Sequence, residues 1–145
     1  MPIKDLMPVI AKFEGDWVGN YIEVDIEGNV TDRHVSHFTT SFPSGNEYCQ
    51  VNRHRWDDGR YQEHSLAGQL VGKQIVWNTE RINGSAWEVD EYTVIMRYTY
   101  KDDPAQLIYE FIQISPNGRH RARTRHYFKD GELVKRTLIK EVRPQ

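Results

Sequence analysis

Phe13-Glu14-Gly15-Asp16-Trp17-Val18-Gly19-Asn20-Tyr21 is the stretch on which the reading of this chain turns, because it places a Gly-x-Trp signal where a short helical run gives way to the first strand-like run. A glycine there lets the backbone pass close beneath a large ring. A tryptophan can plug one end of a closed sheet with about 150–250 Å² of apolar surface. Three residues alone are a weak signal. Their weight comes from the rest of the chain, since everything after Gly15 reads as strands.

Upstream, Leu6, Ile10 and Phe13 are spaced three to four apart with Met7 and Val9 nearby, which predicts a short helix within residues 1–13 despite Pro8 in its early turns. Such a helix suits a lid or plug. Downstream, turn residues recur at Glu27-Gly28-Asn29, Pro43-Ser44-Gly45-Asn46, Asp57-Asp58-Gly59, Val71-Gly72-Lys73, Asn83-Gly84, Lys101-Asp102-Asp103-Pro104, Asn117-Gly118 and Asp130-Gly131. Asn-Gly and Asp-Gly are the strongest hairpin signals among them. Between the turns, runs rich in Val, Ile, Thr, Tyr, Phe and Trp occupy 15–26, 30–42, 46–56, 60–70, 74–81, 85–100, 106–115, 119–128 and 132–143. That makes nine strands, or ten if 85–100 breaks near Tyr92. Short connections pair each strand with the next, and a meander this long closes because open edges invite aggregation. A two-sheet sandwich would need longer crossovers. The expected fold is all-β: one antiparallel up-and-down β-barrel over 15–143 behind an N-terminal helix at 1–13, in a single domain spanning 1–145.

Only 38 % of the residues are apolar, yet there are 4 Trp, 8 Tyr and 5 Phe, so burial must rely on aromatic rings suited to half-polar surfaces and pockets. A net charge of −2 argues against a general nucleic-acid surface or an anionic-membrane binder. Cys49 is the only cysteine, which excludes an internal disulfide and makes a reducing compartment the default. No segment approaches the ~20 apolar residues of a membrane span, and Met1 to Lys12 has no apolar run of signal-peptide length. The cytoplasm is the expected location.

A helix, then Gly15-Asp16-Trp17, then an antiparallel meander ending in the basic strand from Arg136 to Arg143, resembles the calycin superfamily of lipocalins, fatty-acid-binding proteins and their bacterial relatives. Gly118-Arg119-His120-Arg121-Ala122-Arg123-Thr124-Arg125, followed by the Asp130-Gly131 hairpin, is most similar to small bacterial and cyanobacterial lipocalin-like proteins, including the phycobiliprotein lyases of the S/U type. The resemblance implies an arginine that packs on the Gly-x-Trp ring, and pairing of the first and last strands nominates Arg143. The lyases' own bilin-binding signature has no counterpart in the N-terminal half. Gly15 to Gly19 is also similar to the opening of nitrobindin-like haem barrels, which rely on a histidine close to the C-terminus, whereas no histidine here follows His126.

Arg119, Arg121, Arg123 and Arg125 recur at period two and share one face of one strand. A two-residue Asn117-Gly118 turn pairs Glu110 with Arg125 and puts Ala122, Thr124 and His126 on the other face with Phe111 and Tyr109; a turn one residue longer sets Arg125 beside Tyr109 and Arg123 beside Phe111. Burying four unpaired guanidiniums costs so much that a solvated outer face with ion pairs is favoured. In the other case they line a cavity and bind a carboxylate or phosphate. Arg123 would then be the anion-binding residue, with Tyr98 or Tyr109 as its hydroxyl partner, and would oppose folding as an unpaired charge.

Tyr48, Gln50, Asn52, His54 and Trp56 form a second face, continued by Arg60, Gln62 and His64, which is either a hydrogen-bonding pocket wall or a solvated surface. The aromatics Trp56, Trp77, Trp87, Tyr92, Tyr98, Tyr100 and Tyr109 either fill the barrel or wall a cavity for one small ligand. His34 and His37 face opposite sides of their strand, and His54 with His64 lack a third ligand, so no metal is expected. Cys49 and the serines sit in no nucleophile motif. Acid–base work by His54, His64 or Glu23 is the more plausible chemistry; Glu23, Asp25 and Glu110 are otherwise expected on outer faces or at strand ends.

The leading function is a calycin barrel holding one largely apolar, anionic small molecule, through the ligand-binding set Asn52, His54, Trp56, Trp77, Tyr98, Tyr109 and Arg123. The alternatives are a small barrel enzyme (isomerase, cyclase or chromophore lyase) acting on such a ligand and a closed-barrel protein-interaction module. No cofactor is implied. The expected partner is a small hydrophobic or amphipathic ligand, neither nucleic acid nor membrane, and a homodimer is left open.

Overall fold

The computed structural model describes residues 2–145, so position 1, which the sequence reading placed with the N-terminal helix, lies outside the described residues. Two single-turn helices, α1 (Ile3–Leu6) and α2 (Pro8–Ala11), precede ten strands. These are β1 (Gly15–Asp25), β2 (Val30–Ser41), β3 (Glu47–Arg55), β4 (Tyr61–Val71), β5 (Gln74–Asn78), β6 (Ile82–Glu88), β7 (Thr93–Tyr100), β8 (Asp103–Ile114), β9 (His120–Lys129) and β10 (Glu132–Val142). Each pairs antiparallel with the next, and β10 returns to β1, so the barrel is closed as expected. The expected single helix is split because Pro8 has no N–H for the first helix to use and instead opens the second.

The strand run 85–100 does break near Tyr92, giving ten strands rather than nine. The hairpin expected at Asn83-Gly84 is corrected: the connection lies at Thr79-Glu80-Arg81, where the Thr79 hydroxyl accepts the N–H groups of Arg81 and Ile82 at 3.1 and 3.0 Å. Gly84 is needed inside β6. It lies opposite Tyr98, and a Cβ there would meet the Arg97 carbonyl oxygen and Tyr98 Cβ at 2.4 Å each. Close backbone approach, not turn geometry, selects this glycine.

One end of the barrel is stoppered by Ile3, Met7, Val9, Ile10 and Phe13, all buried with Trp17. The Glu88 carboxylate, at the end of β6, accepts the Val9 and Ile10 N–H groups at 2.7 and 2.8 Å. It thereby satisfies donors that the first turn of α2 cannot. Trp17 is fully buried, and its indole N–H donates to the Phe13 carbonyl at 3.0 Å. Arg143 lies 4.1 Å from the centre of that ring, the contact the calycin resemblance implied, and donates to the carbonyls of Gly118, Glu14 and Lys12. One arginine thus ties the plug, the first strand and the β8–β9 turn together.

Replacing Trp17 with Ala should cost about 3–5 kcal/mol, the usual range for deleting a buried large aromatic. Denaturant unfolding checks this, and a loss below about 1 kcal/mol would show that the ring does not close the barrel end.

Candidate functional site

The arginine strand is where charge pattern and structure part company. The β8–β9 register pairs Glu110 with Arg125, as the two-residue turn requires, and turns Arg121, Arg123 and Arg125 into the barrel. Only Arg119 stays outside, next to the turn. The favoured solvated face is therefore corrected. The cost that argued for it is met by partners at a distance in sequence: Arg121 Nε donates to Glu141 at 2.7 Å, Arg123 to Glu110 at 2.9–3.0 Å, and Arg125 Nε also to Glu110. Glu110, expected on an outer face, and Glu141 are each only 1 % exposed. Burial alone would raise the Glu110 carboxyl pKa, but Arg123 and Arg125 outweigh it and hold the group below the usual carboxylate range. Gly19 makes room for this arrangement, since a Cβ on it would meet the Lys140 carbonyl oxygen at 2.6 Å and the Glu141 side chain at 2.7 Å.

Each inward guanidinium also lies over a ring: Arg121 4.7 Å from Trp17, Arg123 4.4 Å from Phe38 and Arg125 5.5 Å from Tyr21. Such stacking adds attraction on top of the ion pairs. Arg125 Nη1 donates to the Tyr21 hydroxyl at 2.5 Å, and against the opposing effect of burial the same guanidinium lowers the Tyr127 hydroxyl pKa.

Above this charged floor the barrel encloses a cavity of about 280 Å³. Ile10 and Phe13 close it on the plug side, while Glu23, Asp32, Trp56, Gln62 and Arg81 surround it at the other end of the strands. Of the residues nominated from sequence, Asn52, His54, Trp56, Trp77, Tyr98 and Arg123 line this cavity. Tyr109 does not, and is corrected: Glu110 points in, so its neighbour points out, where the Tyr109 hydroxyl accepts from Arg97 at 3.3 Å. Trp87 and Tyr92 are likewise outside the cavity, whereas Tyr100 lines it. The β3 face settles as a wall. Tyr48 donates to Gln50 and Gln50 to Asn52, both at 2.7 Å, in a polar ladder facing Trp77.

Sequence reading missed two residues near the mouth. The Asp32 carboxylate accepts from His34 Nδ1 at 2.7 Å and from the Trp56 indole N–H at 2.8 Å, and His34 Nε2 lies 2.9 Å from His54 Nδ1. The His34 ring packs against Tyr21 and Trp56, with centroids 4.3 and 4.2 Å away. Period-two alternation with the inward Phe38 could have placed Asp32 and His34 inside. The His54 contact needs the β2–β3 register, in which Ser36 faces His54 and His34 is its diagonal neighbour. Burial first, then the fields of His34, Arg125, His64 and Arg123, pushes the His54 pKa down to about 3. His64 is lowered by burial and by Arg81. Among the described residues no cluster of three His, Cys, Asp or Glu could hold a metal ion.

No family model and no curated protein matches the chain. Solved structures do. The S-type phycobiliprotein lyase CPES from Guillardia theta superposes with a TM-score of 0.76 at 13 % identity over 100 % of this chain and 94 % of its own. A protein of unknown function from the DUF3598 family of Nostoc punctiforme PCC 73102 superposes with a TM-score of 0.75 at 15 % identity over 93 % of this chain, which spans 49 % of that protein's length. Rv2717c from M. tuberculosis gives a TM-score of 0.70 at 9 % identity, over 97 % and 98 % of the two chains. At these identities the likeness is one of fold, and the fold is that of a calycin-like, lipocalin-type barrel.

Because Arg123 is paired, Arg123→Leu leaves Glu110 and Glu141 short of a counter-charge and should lower stability by about 3–5 kcal/mol in denaturant unfolding. Unchanged or raised stability would mean an unpaired arginine. For His54, the unfolded chain takes up a proton as pH falls through about 6.5 while the native imidazole stays neutral to about 3, so the unfolded state binds more protons in that window. Stability should therefore fall as pH drops below 6.5, and His54→Gln should flatten the loss between pH 6.5 and the carboxylate range. Unfolding midpoints followed against pH test this; parallel curves for the two proteins would contradict it.

Proposed function

We propose that this barrel binds one small, largely apolar molecule with an anionic end, the ring system lying among Trp77, Tyr98 and Met96 and the charge meeting Arg125. The observation that carries this reading is an internal cavity of about 280 Å³ whose floor presents two guanidiniums, Arg123 and Arg125, against the single carboxylate of Glu110. An excess positive charge in a desolvated site favours a carboxylate, sulfonate or phosphate oxygen through charge-assisted hydrogen bonds. The aromatic and apolar wall favours a planar body. Burial raises the Tyr98 hydroxyl pKa, which keeps it protonated as a further donor. A packed-shut interaction module fits a hollow barrel poorly. The shared fold of a phycobiliprotein lyase supports the same direction at the level of architecture.

Titration with 2-naphthoate and with the uncharged 2-naphthamide, read by quenching of tryptophan fluorescence, tests the charge preference. The naphthoate should bind at least about tenfold more tightly, equivalent to about 1.4 kcal/mol, and Arg125→Met should abolish the preference while the amide still binds. Equal affinities in the unaltered protein would leave a neutral-ligand pocket only.

A further inference from the structure

We propose that Asp32, His34 and His54 form a proton relay that makes the cavity a general-base site for planar aromatic or conjugated molecules carrying an acidic C–H. The proposal rests on the reading that the cavity admits a small molecule. Hydrogen bonds fix the direction of the relay: with Asp32 ionised, His34 Nδ1–H donates to its carboxylate, His34 Nε2 accepts from His54 Nδ1–H, and the remaining nitrogen of His54, Nε2, carries a lone pair on a residue that lines the cavity. Histidine tautomers are set by the partner of the other nitrogen, and here each partner points the same way.

A lone imidazole at His54 would be a feeble base, because burial and the facing groups His34, Arg125, His64 and Arg123 disfavour a charge on it. The relay moves that charge elsewhere. As Nε2 of His54 takes a proton from the substrate carbon, its Nδ1 proton passes to His34 Nε2. His54 ends neutral in its other tautomer. The imidazolium sits on His34, bonded to the Asp32 carboxylate and packed between the rings of Tyr21 and Trp56, where cation–π attraction supports it. Asp32 is itself oriented by the Trp56 indole N–H. The negative charge that develops on the substrate faces Arg125 in the same cavity, as an anion-stabilising group should. Asp32 and His34 are thus positioning residues, and of the three relay groups His54 alone touches the substrate.

5-Nitrobenzisoxazole is a planar probe whose ring opens when a base removes its C3 proton. The C–H pair becomes the second π bond of a nitrile, the N–O bond breaks, and the phenolate oxygen leaves with the electron pair of the N–O bond, giving coloured 2-cyano-4-nitrophenolate without oxidant or co-reactant. The proton then leaves the relay to water. The protein should open the probe with saturation kinetics, and His54→Gln should lower kcat/KM about a hundredfold while tryptophan quenching by the probe persists. Asp32→Asn should lower kcat with KM little changed and move the acid limb of the pH–rate profile to lower pH, because the His34 imidazolium loses its counter-charge. A merely structural role would not move that limb. Quenching with equal rates in the unaltered protein and His54→Gln would overturn the relay and leave the binding reading intact. Absence of both quenching and turnover would overturn the two together.

Discussion

Three arginines buried on one strand face must be matched by two carboxylates, and that constraint organises the interior. Unmatched, each guanidinium would carry a desolvation cost of several kcal/mol, and three together would exhaust the net stability of an ordinary domain. Matched to Glu110 and Glu141 and laid over Trp17, Phe38 and Tyr21, they form a rigid spine from the plug to the cavity floor. Gly19 is part of the same solution, since only a residue without a Cβ leaves space for Glu141. The charged spine occupies the plugged half of the barrel. The cavity is what remains above it.

The two ends of the barrel therefore serve different purposes. Around Trp17 every feature closes the structure: the one-turn helices, the Glu88 carboxylate on the α2 N–H groups, and Arg143 joining three segments. Around Asp32 and Trp56 the side chains are polar, partly exposed and bonded to one another rather than to a plug. Rigidity at one end and a polar mouth at the other suit a site that must be preorganised yet reachable.

Much of the architecture was legible because it rests on local signals. Turn residues punctuate the chain, Trp17 comes just after a short helix, and the break near Tyr92 separates two strands. What was not legible depends on register. Period two put the arginines on one face but could not say which, and only the pairing of β8 with β9 turns Glu110 toward Arg125 and Tyr109 away. Charge pattern argued for solvent because the partners, Glu110 and Glu141, are distant in sequence. Asn83-Gly84 has the composition of a hairpin, yet close packing against Tyr98 keeps it in a strand. His34 was set aside as half of a failed metal pair, and its contact with His54 arises from diagonal pairing across β2 and β3. Six of the seven nominated site residues still reach the cavity, because aromatic and amide side chains at period two on a barrel strand share a fate.

A hollow barrel with a charged floor should not be empty in the cell. Native mass spectrometry of the freshly purified protein, before and after exposure to the small-molecule fraction of a cell extract, asks this most directly. The predicted result is one small-molecule adduct per chain, retained under gentle ionisation and lost on denaturation. Bare chain as the sole species under both conditions would contradict a ligand-binding barrel.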